Sequence, residues 1–370
     1  MSFLPPLTGE VPGAFGRSDV DALPYTGARL AGFPPGTRAP FWGDFYSPRG
    51  YSYAHRQRFH PFHPRRRELF HGTASATSVT MADVVRQAES MALGPRLRWR
   101  ARRLKPMVRP PIVYLRHRHL TPDDVVIGEY PKSGSTWLAF MVGEVLLDRT
   151  IDFDSQEQLV PALVAGVWPR EAPRALPRAG RLFRSHEAHR REYRRAIYVV
   201  RHVADVAVSY HNWLAWQGVP TPGLQRFLPM FLQGRVGAYG SWQEHVLSWV
   251  EADDASIEIV RYEDVKARPH ETVTRVLRFA GVSPDPARVS MAVESNTVER
   301  MRAKEDRARR GPFSRHRAGR RFVSRGAPGG SLDCLTDDQF ELIDRYAGPT
   351  LKRLGYPVRP EPAAAGLSRP

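Results

Sequence analysis

Tyr130-Pro-Lys-Ser-Gly-Ser-Thr-Trp137 is the stretch whose reading decides the fold. It follows a short apolar run, Val125-Val-Ile-Gly128. It precedes a helical stripe from Ser135 to Leu147, with Leu138, Met141, Val142, Val145 and Leu146 on one face. Strand, small-residue loop and helix in that order place unpaired N–H groups and the positive end of a helix dipole at the loop. Small residues admit an anion there, and Lys132 adds a compact full charge. The triphosphate loop G-x-x-x-x-G-K-[ST] needs a Gly-Lys pair, which this chain lacks. Here the lysine precedes the Ser-Gly turn. The residues by themselves fit an anion-binding loop or an ordinary helix start with a surface lysine.

Working outward, the pattern recurs. Ala196-Ile-Tyr-Val-Val200 reads as a strand followed by a helix from Ala204 to Trp216, and Ser256 to Val260 as a third strand with a helix at His270 to Ala280. Strands alternating with helices imply right-handed crossovers and a mainly parallel sheet, hence an α/β fold. Further helices are expected at Pro286 to Lys304 and Thr336 to Leu354. Long loops are expected at Phe153 to Arg178 and Trp213 to Trp242. Before the first strand, residues 79 to 104 have helical spacing. Residues 1 to 65 hold ten prolines and an aromatic patch from Phe41 to Phe62 with no traceable period.

The octapeptide resembles the 5′-phosphosulfate loop of sulfotransferases that use 3′-phosphoadenosine 5′-phosphosulfate, differing only at Ser135, where threonine is commoner. Tyr198 to Tyr210 resembles the family's 3′-phosphate segment, with Arg201 at a strand end and Ser209 eight residues on. Arg184-Ser-His186 is similar to the family's Lys-Thr-His strand, whose histidine is the general base. Ile259 to Val265 resembles the family's Tyr-Glu-Asp strand, and the resemblance makes Tyr262 on that strand and Trp137 the walls of an adenine site. Asn296 to Met301 falls where the family has another nucleotide-contacting stretch. Arg321 to Gly329 resembles the segment that closes over the 3′-phosphate, with Arg325 and Gly326 retained and Ser324 where arginine is expected. The family's C-terminal dimer motif is altered at Leu332 and Asp337, which leaves the oligomeric state open.

The resemblance covers about Pro122 to Pro357. It implies a three-layer, P-loop-like sandwich over residues 121–357. Composition, not the resemblance, makes residues 1–120 a basic, irregular N-terminal arm, and a disordered tail is expected over 358–370. The resemblance implies 3′-phosphoadenosine 5′-phosphosulfate as donor, no metal, and in-line sulfuryl transfer to a hydroxyl or amine of a small acceptor. Lys132 and His186 would be catalytic; Lys132, Ser133, Gly134, Ser135, Thr136, Trp137, Arg201, Ser209, Tyr262, Arg325 and Gly326 would hold the donor. Apolar and aromatic residues in the long loops point to an apolar or aromatic alcohol as acceptor.

Composition bounds the alternatives. With 370 residues, 42% hydrophobic and 25% charged, the chain is ordinary globular protein. One cysteine, Cys334, excludes an intramolecular disulfide framework and suits a reducing compartment. The opening residues show no signal-peptide pattern and no run is long enough for a membrane span, so a cytoplasmic location is expected. His186-Glu-Ala-His189 lacks the H-E-x-x-H spacing of a zinc helix. The net charge of +17 is concentrated in residues 1–120, at +12, and 300–325, at +9. That distribution keeps a nucleic-acid-binding protein as one alternative. A P-loop kinase of small molecules is another, opposed by the missing Gly-Lys pair. No nucleic-acid partner is expected.

Overall fold

A computed structural model describes residues 110–164, 167–217, 219–309, 321–323 and 328–360. The expected helix at 79–104, the aromatic patch, and Ser324, Arg325 and Gly326 lie outside these residues. The described chain opens with helix α1 over 110–117, whose Arg116 and His117 are buried. His117 Nε2 meets the Tyr193 hydroxyl at 2.6 Å. Arg116 donates to the carbonyls of Leu163 and Val167. These contacts tie the segment ahead of residue 121 to the fold.

Strand β1 (Val125–Glu129) leads into α2 (Ser135–Leu147) and then the short α3 (Gln156–Leu159). Next come β2 (Leu182–Ser185), β3 (Arg195–Val200), α4 (Val203–Trp216), α5 (Leu224–Leu232), α6 (Trp242–Val250) and β4 (Ser256–Arg261). The last helices are α7 (Tyr262–Ala267), α8 (Pro269–Phe279), α9 (Pro286–Glu294), α10 (Val298–Arg307) and α11 (Asp337–Arg353). The strands pair in the order β2-β1-β3-β4, all parallel.

Alternation along the strands divides the core into two layers. Val125 and Ile127 of β1, with Ile197 and Val199 of β3, pack with Leu138, Phe140 and Met141 of α2 and Val273, Val276 and Leu277 of α8. Val126, Ala196, Tyr198 and Val200 face the other way, against residues of α4, α5, α6 and α11. Helices on both faces of a parallel sheet make the expected three-layer sandwich, and they explain why β1 is buried from end to end.

Three expectations about elements need correction. The segment from Trp213 to Trp242 is not one long loop, because it contains α5, whose Phe227, Leu228, Phe231 and Leu232 supply a core face. Its Pro229 made the run look loop-like. The expected helix Pro286 to Lys304 is two helices, split where Thr297 caps α10 by accepting from the Arg300 N–H. Tyr262 lies not on a strand but at the first position of α7.

One glycine shows how tightly the sheet is covered. A Cβ at Gly128 would lie 2.5 Å from the Trp249 ring. That ring stacks at 5.3 Å on Tyr193 and 5.0 Å on Tyr198, so it cannot move aside cheaply. Gly128→Ala should therefore destabilise the fold by about 1–3 kcal/mol through overpacking. Urea denaturation followed by Trp fluorescence checks this, and an unchanged midpoint would contradict it.

Candidate active site

The loop after β1 is fixed at its start by Tyr130, whose buried ring lies 5.7 Å from that of Phe231 and 5.3 Å from that of His245. Lys132 then takes a φ of 79°, a left-handed conformation uncommon for a residue with a side chain. Gly134 takes 106°, and a Cβ there would sit 2.4 Å from the Tyr262 ring. The tight turn delivers the chain into the N-terminus of α2. Ser133 Oγ and Ser135 Oγ are both buried there with no hydrogen-bond partner. Buried hydroxyls seldom stay unsatisfied. Together with the helix end and Lys132, they form a cradle suited to an anion.

Lys132 Nζ lies 3.9 Å from the centre of the Phe322 ring, a cation–π contact. Burial pushes its ammonium down to about 8; Glu129 and Glu305 oppose that shift and Arg201 adds to it. Phe322 is held in place by Glu305, which accepts the N–H of Phe322 at 2.6 Å and of Val323 at 2.9 Å. Arg321 in the same segment pairs with Asp306 at 2.9 Å.

Arg201 stands at the C-terminal end of β3, nearly buried, with its guanidinium 4.4 Å from the centre of the Tyr262 ring. It meets Asp205 at 3.3 Å. Asp205 in turn accepts the N–H groups of Gly329 and Ser331, both at 2.9 Å, which fastens the segment after residue 328 to the start of α4. Ser209 lies half-buried two turns along the same helix, and no hydrogen bond joins it to the other expected site residues. Trp137 and Tyr262 approach edge-on at 6.2 Å. Trp137 Nε1 donates to the Asn296 carbonyl at 2.6 Å, which brings the Asn296 turn to the site, and Lys266 Nζ lies 4.7 Å over the indole.

His186 follows β2, and its backbone is anchored by α6. His245 Nε2 bonds the His186 carbonyl at 3.1 Å, and Trp249 Nε1 donates to that of Glu187 at 3.2 Å. Tyr239 meets the imidazole edge-on at 5.8 Å. The Nδ1 atom is enclosed, although the side chain as a whole is 36% exposed. Burial lowers the imidazole to about 4, and the nearby charges of Arg184 and Lys132 lower it further. Arg184 itself turns inward, donating to the Val160 carbonyl at 3.0 Å and to Glu157 at 2.5 Å.

The fold thus brings Lys132, Ser133, Gly134, Ser135, Trp137, Arg201 and Tyr262 to one end of the sheet, with His186 within electrostatic reach of Lys132. Three residues there escaped the sequence reading: Glu129, Asp205 and Phe322. Glu129 left one signal, a carboxylate ending an otherwise apolar strand. Phe322 sits inside the expected closing segment but drew no role. Among the described residues, no three His, Cys, Asp or Glu side chains gather as a metal-binding group.

Sulfotransferase 1B1 of Canis lupus familiaris is 33% identical over 178 residues, covering 44% of this chain and 60% of that protein. Sulfotransferase 1A1 of Mus musculus is 30% identical over 198 residues, covering 49% and 67%. The matched part therefore spans only about 60–67% of these relatives. Among solved structures, mouse sulfotransferase SULT7A1 complexed with PAP matches with a TM-score of 0.52 at 21% identity, covering 67% of this chain and 90% of that one. Retinol dehydratase in a complex with retinol and PAP matches at 0.52 and 17% identity, covering 65% and 86%. At such identities the two structures speak for the fold. The sulfotransferase domain model matches residues 122–355, well over half the chain and nearly all of its described part, and the chain belongs to the sulfotransferase family.

Proposed function

We propose that the protein is a sulfotransferase that moves a sulfuryl group from 3′-phosphoadenosine 5′-phosphosulfate to a hydroxyl or amine of a small acceptor by in-line displacement. The observation that carries this reading is the pair of buried, unpartnered hydroxyls of Ser133 and Ser135 beside Lys132 at the start of α2. The donor, when bound, supplies the sulfuryl group, and its bridging S–O bond breaks so that the electron pair leaves on the 5′-phosphate. The chain's own residues do the rest.

Ser133, Gly134, Ser135 and Thr136 bind the 5′-phosphate through the loop and helix end, and Lys132 stabilises charge where the leaving oxygen develops it. Trp137 and Tyr262 flank the adenine. Arg201 grips the 3′-phosphate with Ser209, and Arg325 and Gly326 close over it. His186 takes the acceptor proton at Nε2, because Nδ1 is enclosed. Its lowered pKa keeps it neutral, and so able to accept, throughout the physiological range. Tyr239 at the imidazole edge favours an apolar or aromatic alcohol as acceptor. Retinol bound by the similar retinol dehydratase is an alcohol of that kind.

Adenosine 3′,5′-bisphosphate should raise the melting temperature by mass action, and ATP with magnesium should raise it far less. Differential scanning fluorimetry decides, and the reverse order would favour a kinase.

Affinity for the bisphosphate should also depend on pH. Lys132 binds the anion while protonated, and its free-state pKa is about 8, so affinity should fall as pH rises through about 8. Lys132→Arg should keep its affinity to about pH 10, since guanidinium does not lose its proton there. Calorimetric titrations from pH 7 to 10 measure both, and a flat profile for the natural chain would remove Lys132 from the phosphate site.

Arg201→Ala should weaken the 3′-phosphorylated nucleotide about tenfold or more while barely changing adenosine 5′-phosphate, because a charge-assisted contact is lost. Equal losses for both nucleotides would show that Arg201 supports the fold and does not read the 3′-phosphate.

A further inference from the structure

Glu129 ends β1 directly before the phosphate loop, almost wholly buried. Its two carboxylate oxygens face different partners. Oε2 accepts the Ser135 N–H at 2.6 Å, the first amide of α2. Oε1 faces His186 Nδ1 at 3.5 Å. That nitrogen is enclosed with no side-chain hydrogen bond, and the main-chain carbonyl of Glu129 acts on the same imidazole. The parallel pairing of β1 with β2, in register from Val125 with Leu182 to Gly128 with Ser185, sets the residues after each strand side by side. The Glu129–His186 contact is thus a consequence of sheet register.

We propose that Glu129 is a positioning residue for His186, holding the imidazole as the Nδ1–H tautomer so that the Nε2 lone pair stays open to the acceptor. This rests on the reading of His186 as the base. When His186 takes the acceptor proton at Nε2, the acceptor oxygen forms its bond to sulfur, the S–O bond to the 5′-phosphate breaks, and the imidazolium so formed carries its Nδ1–H toward the carboxylate. A buried carboxylate serves such an imidazolium in two ways: it fixes the tautomer beforehand and offsets the new charge. Other charged groups share the space. Lys132, Arg184 and Glu157 act on His186, and Lys132 and Arg184 act on Glu129. His245 also senses His186.

The geometry yields a specific test. Under the proposal both oxygens of Glu129 serve as acceptors, one for the Ser135 N–H at 2.6 Å and one for the imidazole, 3.5 Å away. Glu129→Gln leaves one acceptor. The amide oxygen keeps the short Ser135 bond, so the NH₂ group turns to His186 Nδ1 and demands a lone pair there. The imidazole then flips to the Nε2–H tautomer, and the acceptor-facing nitrogen can no longer take a proton.

Nitrogen-15 NMR of histidine-labelled protein reads this directly, with His186→Gln used to assign the signals. The natural chain at pH 7 should show Nδ1 of His186 protonated and Nε2 bare, and Glu129→Gln should show the reverse. Adenosine 3′,5′-bisphosphate should still raise the melting temperature of the variant, which verifies that the loop is folded. Should Glu129→Gln fail to fold, Glu129→Asp, a shorter carboxylate, should give a mixture of tautomers. With 2-naphthol as probe acceptor, kcat should fall about a hundredfold, the scale of a lost general base. Identical His186 signals in a folded Glu129→Gln protein would overturn the proposal; the main-chain carbonyl of Glu129, which faces the same imidazole edge, would then be what holds Nδ1. The tautomer measurement needs no turnover, so its failure is separable from a failure of the transferase reading, which the nucleotide ranking decides.

Discussion

Lys132 is a cation taken out of water, and much of the surrounding structure follows from that. Moving an ammonium from water into a protein costs several kcal/mol unless neighbours compensate. Three neighbours do so here. Phe322 offers a ring face at 3.9 Å; Glu129 and Glu305 supply negative charge. Glu305 does more than act at a distance, because its carboxylate also fixes the backbone that presents Phe322. The compensation stops short of full, which is why the ammonium pKa falls to about 8. A phosphate drawn into the cradle would complete it. Binding energy for an anion is in this sense stored as an incompletely satisfied cation.

The place of this cation is dictated by topology. In a parallel sheet all C-terminal strand ends lie on one edge, and a ligand crevice opens where neighbouring crossovers leave in opposite directions. The order β2-β1-β3-β4 puts that point between β1 and β3. Lys132 follows the first of these strands and Arg201 ends just past the second, so the two cations flank the crevice. Each has a buried carboxylate within a turn of chain, Glu129 for the loop and Asp205 for the strand end. Asp205 balances Arg201 and at the same time ties down Gly329 and Ser331, so a charge requirement and a loop anchor are met by one side chain.

The sequence made the fold class legible because apolar runs and helical stripes alternate plainly, and it made the loop legible because a lysine before Ser-Gly is an unusual local pattern. Residues whose role depends on contacts far along the chain were less visible. Glu129 meets His186, 57 positions on, through the register of β1 with β2, and nothing in its neighbours announces that meeting. Helix α5 was hidden by Pro229 inside it; its strong apolar face outweighs the lost backbone bond once packed against α11 and α4. The break after Glu294 was hidden for the opposite reason. The apolar spacing continues across Ser295 to Thr297, and only the Thr297 cap separates the helices.

The basic cluster at 300–325 illustrates how a charge count and a charge's environment part company. Lys304 is counted in that cluster, yet it is buried against Glu144 at 2.7 Å and Asn296 Oδ1 at 2.8 Å. Asn296 Nδ2 donates to the same glutamate at 2.7 Å, and Ser295 also bonds it. Replacing such a buried ion pair with apolar residues is often neutral, so its net contribution to stability is a weak reason for its presence. Its geometric effect is clearer. The network fixes Asn296 between α2 and α10, and the Asn296 carbonyl is what receives Trp137 Nε1. The orientation of one wall of the expected adenine site is therefore set by an ion pair between residues 160 positions apart. Removing either charge would expose the other to an apolar surround and release the indole, so stability and the seating of Trp137 are coupled through the same three side chains.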